Sequence, residues 1–291
     1  MQLRSGIPTI AELDALQNAD PFYADITRFS QTFLQTHGEA MKGYGRLWGQ
    51  DPFQLWSRRW EYPYAAQNVI DFGKRPENFG RPIRILDAGS GVTFFPYYLC
   101  ANLANAQVIC IDSNPSYPPM FAAINAATNH QRVSFSEAML QKLPLPDGSL
   151  DAVACISVLE HTDNYGEIVR EFARVLRSGG LLVLTFDLSL DGKFELDNKT
   201  ASNLLHMVAE YFNPGGVSDE APIDWQQELN RMDQPAARDV ILTTDHVKRT
   251  NPELLPWRYP MAKAMHDLIK GHGWTGGFRS KSVFCLNARK K

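Results

Sequence analysis

The 291-residue sequence lacks several features that would indicate specialised classes of protein. It has only four cysteines, with no Cys-x-x-Cys pair and no Cys/His cluster, which argues against a disulfide framework and a metal site. No apolar run approaches the roughly 18 residues that cross a bilayer, and the N-terminus has no basic segment followed by an apolar core. We therefore expect a cytoplasmic protein with buried thiols, no metal and no membrane partner.

The charge balance offers no general attraction for a polyanion. The sequence has 29 Lys and Arg against 32 Asp and Glu, a net charge of -3, so nucleic acid is not expected as a partner. Arg58 and Arg59 form a local basic pair that is either solvated or able to meet a substrate carboxylate or phosphate. The sequence carries no indication of oligomeric state.

Strand and helix patterns alternate in the middle of the chain. Short apolar runs bounded by turn residues predict five strands, near residues 83–87, 107–112, 132–136, 150–156 and 181–186. Helical patterns lie between them. This repetition predicts an α/β fold with a Rossmann-like, mostly parallel sheet and helices on both faces.

The flanking segments predict additions to this core, which spans residues 82–187. Residues 1–81 should form a helical, aromatic-rich N-terminal cap, and residues 257–291 a C-terminal helix and strand that complete the core. Residues 188–256 are too long for a simple connection. Because this insertion follows the fifth strand, we expect it to overhang the crevice at the strand ends and to close a substrate pocket.

The most informative local pattern joins a glycine-rich turn to an acid about twenty residues later. The first strand runs into Ile-Leu-Asp-Ala-Gly-Ser-Gly at residues 85–91, and the second ends at Asp112. Glycines let the backbone turn tightly beneath a ligand, and an acid at the tip of the next strand can accept hydrogen bonds from both ribose hydroxyls. The pattern predicts a nucleoside site. A nicotinamide-type loop is disfavoured because Phe94 stands where its last glycine would be.

Five segments in register resemble class I S-adenosylmethionine-dependent methyltransferases, in particular the type 11 group. They are the glycine loop at 85–91, the acid-tipped strand at 108–112, the Leu-Pro-Leu-Pro-Asp-Gly-Ser-Leu-Asp string at 143–151, Ser-Val-Leu-Glu-His at 157–161 and Leu-Arg-Ser-Gly-Gly at 176–180. The resemblance covers little more than a third of the chain. It implies S-adenosyl-L-methionine as cofactor and methyl transfer to oxygen or nitrogen of a small molecule or short peptide.

The resemblance also assigns cofactor contacts by position. Asp87 would organise the ammonium of the methionyl group, while Asp112 would bind the ribose hydroxyls. Glu137 stands where an Asp is more usual and is either an adenine contact or a solvated turn charge; Met139 and Leu140 either flank the ring or pack beside the strand. The full expected set is Asp87, Gly89, Gly91, Asp112, Ser113, Glu137, Met139, Leu140 and Ser157.

Residues for catalysis and substrate binding are expected on either side of this core. His161 follows the fourth strand and is the leading candidate for a general base, although it could instead shape the pocket. The segment 41–72 is dense in aromatic residues, including Trp48. From it Tyr44, Trp60 and Tyr64 are expected to bind substrate as a lid; the alternative is that these rings pack the N-terminal helices on the sheet.

Two other functions remain open. One is a methyltransferase that acts on protein or RNA, although Ser157-Val158-Leu159 after the fourth strand lacks the Asn-Pro-Pro-Tyr-like pattern used on exocyclic base nitrogens. The other is a cofactor-binding protein of this fold that uses another donor, such as a prenyl diphosphate, or lacks transfer activity.

Overall fold

The computed structural model of the chain describes residues 1–45, 51–128, 131–192, 196–215, 223–255, 260–269 and 279–291. The strands are β1 (Ile83–Ala88), β2 (Ala106–Asp112), β3 (Val133–Glu137), β4 (Leu150–Ile156), β5 (Leu176–Ser189), β6 (Phe212–Pro214) and β7 (Lys281–Lys290). The helices are α1 (Ile10–Ala19), α2 (Pro21–His37), α3 (Arg58–Gly73), α4 (Phe95–Asn102), α5 (Pro118–Thr128), α6 (Tyr165–Val175), α7 (Asn198–Tyr211), α8 (Trp225–Asn230), α9 (Pro235–Arg238), α10 (Thr244–Thr250) and α11 (Pro260–Ile269).

A seven-stranded sheet in the order β3-β2-β1-β4-β5-β7-β6 forms the centre of the protein. Strands β1 to β5 are parallel, and β7 runs antiparallel to both β5 and β6. The predicted Rossmann-like, mostly parallel α/β fold is therefore confirmed. Chain order reverses between β1 and β4, so the crevice for a ligand is expected at the carboxyl ends of these two strands.

The structure adds to or changes the sequence expectation at three strands. β5 begins at Leu176 rather than near residue 181, because Leu176 already pairs with Leu150 of β4. Helix α6 therefore ends at the preceding residue, Val175. β7 extends over Lys281–Lys290, since it pairs with β5 from Leu181 to Ser189. The short edge strand Phe212–Pro214 was not predicted.

The N-terminal helices begin at strong capping residues. Thr9 and Glu12 form a reciprocal capping box at the start of α1. At the start of α2, Asp20 accepts a hydrogen bond from the backbone N–H of Phe22 at 2.8 Å. These local signals explain why helices form in the cap.

Helix α3 is buried along most of its length, with Trp60, Tyr64 and Val69 fully enclosed. It contacts α4 as well as β4 and β5 of the sheet. A helix that is buried all round belongs to the core rather than to the surface. Its first turn lies against the carboxyl ends of β4 and β5, which brings charged residues to the crevice.

The insertion packs mainly against one face of the sheet. Leu204 and Val208 of α7 and Trp225 and Leu229 of α8 are buried in a cluster with Phe172 of α6. All four cysteines are buried free thiols, which confirms that prediction. Among the helices described, none combines the length and apolarity needed to span a membrane.

Candidate active site

A cleft of about 620 Å³ opens at the carboxyl ends of the central strands. Its loop side is formed by the glycine loop, the tip of β2 and the segment after β3: Gly89, Ser90, Gly91, Asp112, Ser113, Ala138, Met139, Leu140 and Gln141. Its helix side is formed around α3 and the ends of β4, β5 and β7: Trp56, Ser57, Arg58, Tyr62, Ser157, His161, Thr162, Asp187, Arg279 and Lys281. The two sides therefore differ in chemistry, since the helix side carries most of the cations.

The glycine loop depends on two left-handed residues. Gly89 has φ +68° and Gly91 has φ +53°. A Cβ added to Gly89 would lie 2.4 Å from Val158 Cγ2, and one added to Gly91 would lie 2.3 Å from the Tyr44 hydroxyl. Neither position therefore accommodates a side chain without displacement of its neighbour.

Asp112 anchors this loop and still has capacity for a ligand. Its Oδ2 accepts the N–H of Gly91 at 3.1 Å, and its Oδ1 accepts the N–H of Asn114 at 3.1 Å. A carboxylate offers about four acceptor sites. Two of them therefore remain for the hydroxyls of a ribose.

Asp87 lies beneath the loop and is only 4% exposed. Its Oδ2 has no hydrogen-bond partner among the described residues. Burial, assisted by the nearby charge of Asp112, raises the pKa of Asp87 to about 8. A buried carboxyl with an unsatisfied oxygen is costly, so this group is suited to meet a ligand cation.

The local sequence around this loop has well-matched relatives. Residues 86–184 match the family model described as a methyltransferase domain. This segment is a methyltransferase domain. A probable S-adenosylmethionine-dependent methyltransferase of Mycobacterium tuberculosis is 38% identical over 101 residues, which cover 35% of this chain and 34% of that protein. A malonyl-(acyl-carrier protein) O-methyltransferase of Laribacter hongkongensis is 35% identical over 108 residues, covering 35% of this chain and 36% of that protein.

The chain thus spans about a third of the length of these curated relatives. A longer likeness exists to a solved structure, geranyl diphosphate methyltransferase in complex with S-adenosylmethionine. It covers 99% of this chain and 98% of that one, with a TM-score of 0.53 and 12% identity. At this identity the likeness shows a shared fold, which includes the flanks of the methyltransferase domain.

The segment after β3 supplies part of the loop side of the methyltransferase domain. Three residues of the expected cofactor-contact set line the cleft here: Ser113, Met139 and Leu140. Leu140 is buried, whereas Met139 is 58% exposed. Glu137 is exposed, pairs in register with Asp112 and does not line the cleft. Of the two alternatives for Glu137, this placement fits the solvated charge better than the adenine contact.

Sequence reasoning missed Gln141 on this side. It lines the cleft, and its Oε1 is buried without a hydrogen-bond partner among the described residues. An unsatisfied amide oxygen can accept a hydrogen bond from an amino group. The only available signal was its position four residues after Glu137.

Two of the three expected substrate aromatics lie away from the cleft. Trp60 and Tyr64 are fully buried, and the Tyr64 hydroxyl hydrogen-bonds to Ser5 Oγ at 2.8 Å. Positions 60 and 64 share one helical face, whereas Arg58 and Tyr62 share the opposite face and line the cleft. The substrate expectation for Trp60 and Tyr64 is corrected to core packing.

Tyr44 does line the cleft, and its ring meets Tyr117 edge-on with the centroids 5.5 Å apart. Its hydroxyl lies against Gly91 and accepts the N–H of Val92. Tyr44 therefore covers the glycine loop. Trp48, another member of the aromatic stretch, lies outside the described residues.

Ser157 joins a buried polar cluster at the end of β4. It adopts φ 50°, an uncommon conformation for a residue with a side chain. Its Oγ donates to Glu61 Oε1 at 2.6 Å and accepts from Arg58 Nη1 at 2.5 Å, while Thr185 Oγ1 donates to the same Glu61 oxygen at 2.5 Å. Glu61 Oε2 forms an ion pair with Arg58 Nη1. The cluster, which sequence reasoning missed, fixes the guanidinium.

His161 is exposed at the rim of the helix side, at the end of a short 3-10 turn. The preceding Glu160 turns inward and is buried, with Oε1 accepting the N–H of Asp187 at 3.2 Å. Burial first, and then the charge of Asp187, raise the pKa of Glu160 well above its usual range. The methyltransferase domain therefore presents one exposed imidazole and one buried carboxyl at this point.

The described residues of the insertion lie away from the cleft. No residue of the described parts of 188–256 lines the cleft. The helix side is instead completed by Lys281 and Arg279, and Lys281 Nζ binds Asp187 Oδ2 at 3.0 Å. The insertion packs on the sheet because α7 and α8 bury an apolar face there.

Replacing Gly89 by alanine should destabilise the protein by about 2–4 kcal/mol, from overpacking together with a left-handed side chain. Gly80 provides a matched control: it has φ +74° with nothing within 4 Å of an added Cβ, so Gly80→Ala should cost only about 1 kcal/mol. Urea unfolding compares the two. Adding Val158→Ala to Gly89→Ala should recover part of the loss, and equal costs at both glycines would contradict the steric explanation.

The raised pKa of Asp87 predicts a pH-dependent stability of the cofactor-free protein. Folded Asp87 keeps its proton up to about pH 8, whereas the unfolded chain releases it near the ordinary aspartate pKa of 3.8, so stability should fall as pH rises between these values. Asp87→Asn should remove this slope. Urea midpoints from pH 5 to pH 8 test it, with exposed Asp14→Asn as the control for net charge. Parallel curves for wild type and Asp87→Asn would refute the prediction.

Proposed function

We propose that this chain is an S-adenosyl-L-methionine-dependent methyltransferase that acts on oxygen or nitrogen of a small molecule or short peptide. The observation that carries the proposal is one cleft with two differently built sides. The loop side fits a nucleoside, and the helix side offers polar groups to a second molecule. The matched relatives whose names specify S-adenosylmethionine support the choice of cofactor.

The residues of the loop side fit this cofactor, together with Asp87, which lies buried beneath the glycine loop and does not itself line the cleft. Asp87 would take the ammonium with its unsatisfied Oδ2, and Asp112 would take the ribose hydroxyls. The backbone at Gly89 and Gly91 would approach the ligand closely because no Cβ intervenes. Gln141 Oε1 would accept from the adenine amino group. When bound, the cofactor supplies a methyl group activated on a sulfonium.

The remaining work of the protein is to place the acceptor and exclude water from it. Trp56 and Tyr62 are buried aromatic residues on the helix side and would cover an acceptor. A base is needed where the nucleophile arrives protonated, and His161 is the proposed base because it lies exposed on the same side. Tyr44 is proposed as the lid over the glycine loop.

The size of the cleft supports a small acceptor. About 620 Å³ must hold both the cofactor and the reacting part of the acceptor, and pockets for drug-sized ligands span about 300–1,000 Å³. A folded macromolecule would have to insert a single side chain or base. The net charge of -3 gives no general attraction for RNA.

The test is transfer of a tritiated methyl group from S-adenosylmethionine to four acceptor pools: small hydroxyl compounds and amines, short peptides, transfer RNA and a protein extract. We expect labelled product among the small molecules or peptides. Label confined to RNA or protein would overturn the acceptor class. No label, together with no binding of S-adenosylmethionine or S-adenosylhomocysteine, would overturn the methyltransferase proposal itself.

A further inference from the structure

Arg58 differs from its neighbour Arg59 in where its charge is placed. Arg58 lines the cleft together with Ser57 and Tyr62, and its side chain is 20% exposed. Arg59 does not line the cleft, and its Nε donates to the carbonyl of Phe53 at 2.9 Å. The two neighbouring arginines therefore point to different places, and of the two only Arg58 faces the cleft.

The guanidinium of Arg58 is held by one nitrogen. Among the described residues, every acceptor within hydrogen-bond distance of the guanidinium lies at Nη1: Ser57 Oγ at 3.2 Å, Ser157 Oγ at 2.5 Å and Glu61 Oε2, which share the two N–H groups of that nitrogen. Nε and Nη2 make no hydrogen bonds with those residues. These two nitrogens form an edge that can bind a carboxylate through two parallel hydrogen bonds.

Glu61 makes this edge rigid without occupying it. The carboxylate is fully buried, and its Oε1 is already taken by Ser157 and Thr185. A buried ion pair gains little stability over an apolar pair of similar size. The arrangement is therefore better explained by positioning Arg58 than by stability.

Further charges surround the same side of the cleft. Lys281 is paired with Asp187, and Arg279 also lines the cleft. Three cationic side chains, Arg58, Lys281 and Arg279, therefore border this side of the cleft. Cationic side chains around a cleft raise the local concentration of anions.

We infer that the acceptor carries a carboxylate, which binds to Nε and Nη2 of Arg58. The carboxylate anchors the acceptor on the helix side and leaves its nucleophile to face the loop side. The inference rests on the proposed function, because the bound carboxylate belongs to a methyl acceptor only if the chain transfers methyl groups. The anion site itself does not require transfer activity. It defines the substrate class as small carboxylic acids that bear a hydroxyl or an amine.

The test uses benzoate as the probe and benzamide as its uncharged counterpart, titrated by ligand-observed NMR into protein saturated with S-adenosylhomocysteine. Wild type should bind benzoate at least about tenfold more tightly than benzamide, as expected of a charge-assisted bidentate contact. Arg58→Lys keeps a cation for Glu61 but loses the edge formed by two nitrogens, so the preference for benzoate over benzamide should fall to about twofold or less. Arg59→Lys, the matched control, should behave as wild type.

Three results would overturn the inference: equal binding of benzoate and benzamide by wild type, an unchanged preference in Arg58→Lys, or an equal loss in Arg59→Lys. Displacement of benzoate by an equal concentration of inorganic phosphate would overturn the carboxylate assignment in favour of a phosphorylated acceptor. S-adenosylhomocysteine affinity, measured on each variant, separates the two proposals. If wild type does not bind it, the proposed function fails, while benzoate titration of the cofactor-free protein still tests Arg58.

Discussion

Replacing Glu61 by alanine is expected to destabilise the protein by about 3–5 kcal/mol, the range for removing one partner of a buried ion pair. The side chain is fully buried and is bound by Arg58, Ser157 and Thr185. Its loss leaves a guanidinium without its counter-charge and two hydroxyls without their acceptor. Urea unfolding of the cofactor-free protein measures the change.

Two further variants test whether the loss of stability is specific to the buried Glu61 or follows the removal of any acidic side chain. Glu39→Ala removes a glutamate that pairs with Lys42 three residues later in an exposed position, and it should change stability by less than about 1 kcal/mol. Replacing both Arg58 and Glu61 by leucine should recover much of the loss, because no unpaired charge then remains buried. A Glu61→Ala protein as stable as Glu39→Ala would show that the cluster is hydrated rather than buried.

Replacing Asp112 by alanine is expected to lower the affinity for S-adenosylmethionine by about a hundredfold or more. Two hydrogen bonds from ribose hydroxyls to a carboxylate are each worth about 1.5–3 kcal/mol, and about 1.4 kcal/mol corresponds to a factor of ten. The same change releases the N–H of Gly91 and loosens the loop. Calorimetric titration of wild type and variant measures the loss.

The control for Asp112 is Glu137→Ala. Glu137 pairs with Asp112 in the β2–β3 register, carries the same charge and is exposed, but it does not line the cleft. Its replacement should leave the affinity within about twofold of wild type, since surface charges are screened. Equal losses in both variants would mean that the total charge of the sheet edge, rather than contact by Asp112, controls cofactor binding.

The loop side was predictable because its geometry is local. Gly89 and Gly91 need positive φ angles, and such positions favour glycine in any sequence context. Asp112 lies at the tip of a parallel strand, where side chains meet the crevice. Glu137 also ends its strand, yet its side chain is exposed and does not line the cleft, so a place at a strand end does not by itself predict which acid reaches the cleft.

The helix side was not predictable in the same way. Which face of α3 meets the cleft depends on how the helix packs against β4 and β5, and the helix is buried on nearly all sides. Trp60 was therefore expected at the substrate and Tyr62 was not, although Trp60 belongs to the core and Tyr62 lines the cleft. The packing of α7 and α8 was not predictable for a related reason, because their apolar faces specify burial but not the partner.

The sequence by itself determined the sheet core, the glycine loop with its acid, and the resemblance to methyltransferases, since each depends on residues close together in the chain. Only the tertiary structure decided the charged side of the cleft. Asp187 and Lys281 are 94 residues apart in the sequence and form an ion pair because β7 lies antiparallel beside β5. Arg58 meets Ser157 across 99 positions because α3 packs over the end of β4. Such pairs depend on register and helix rotation, which are set by the packing of distant segments.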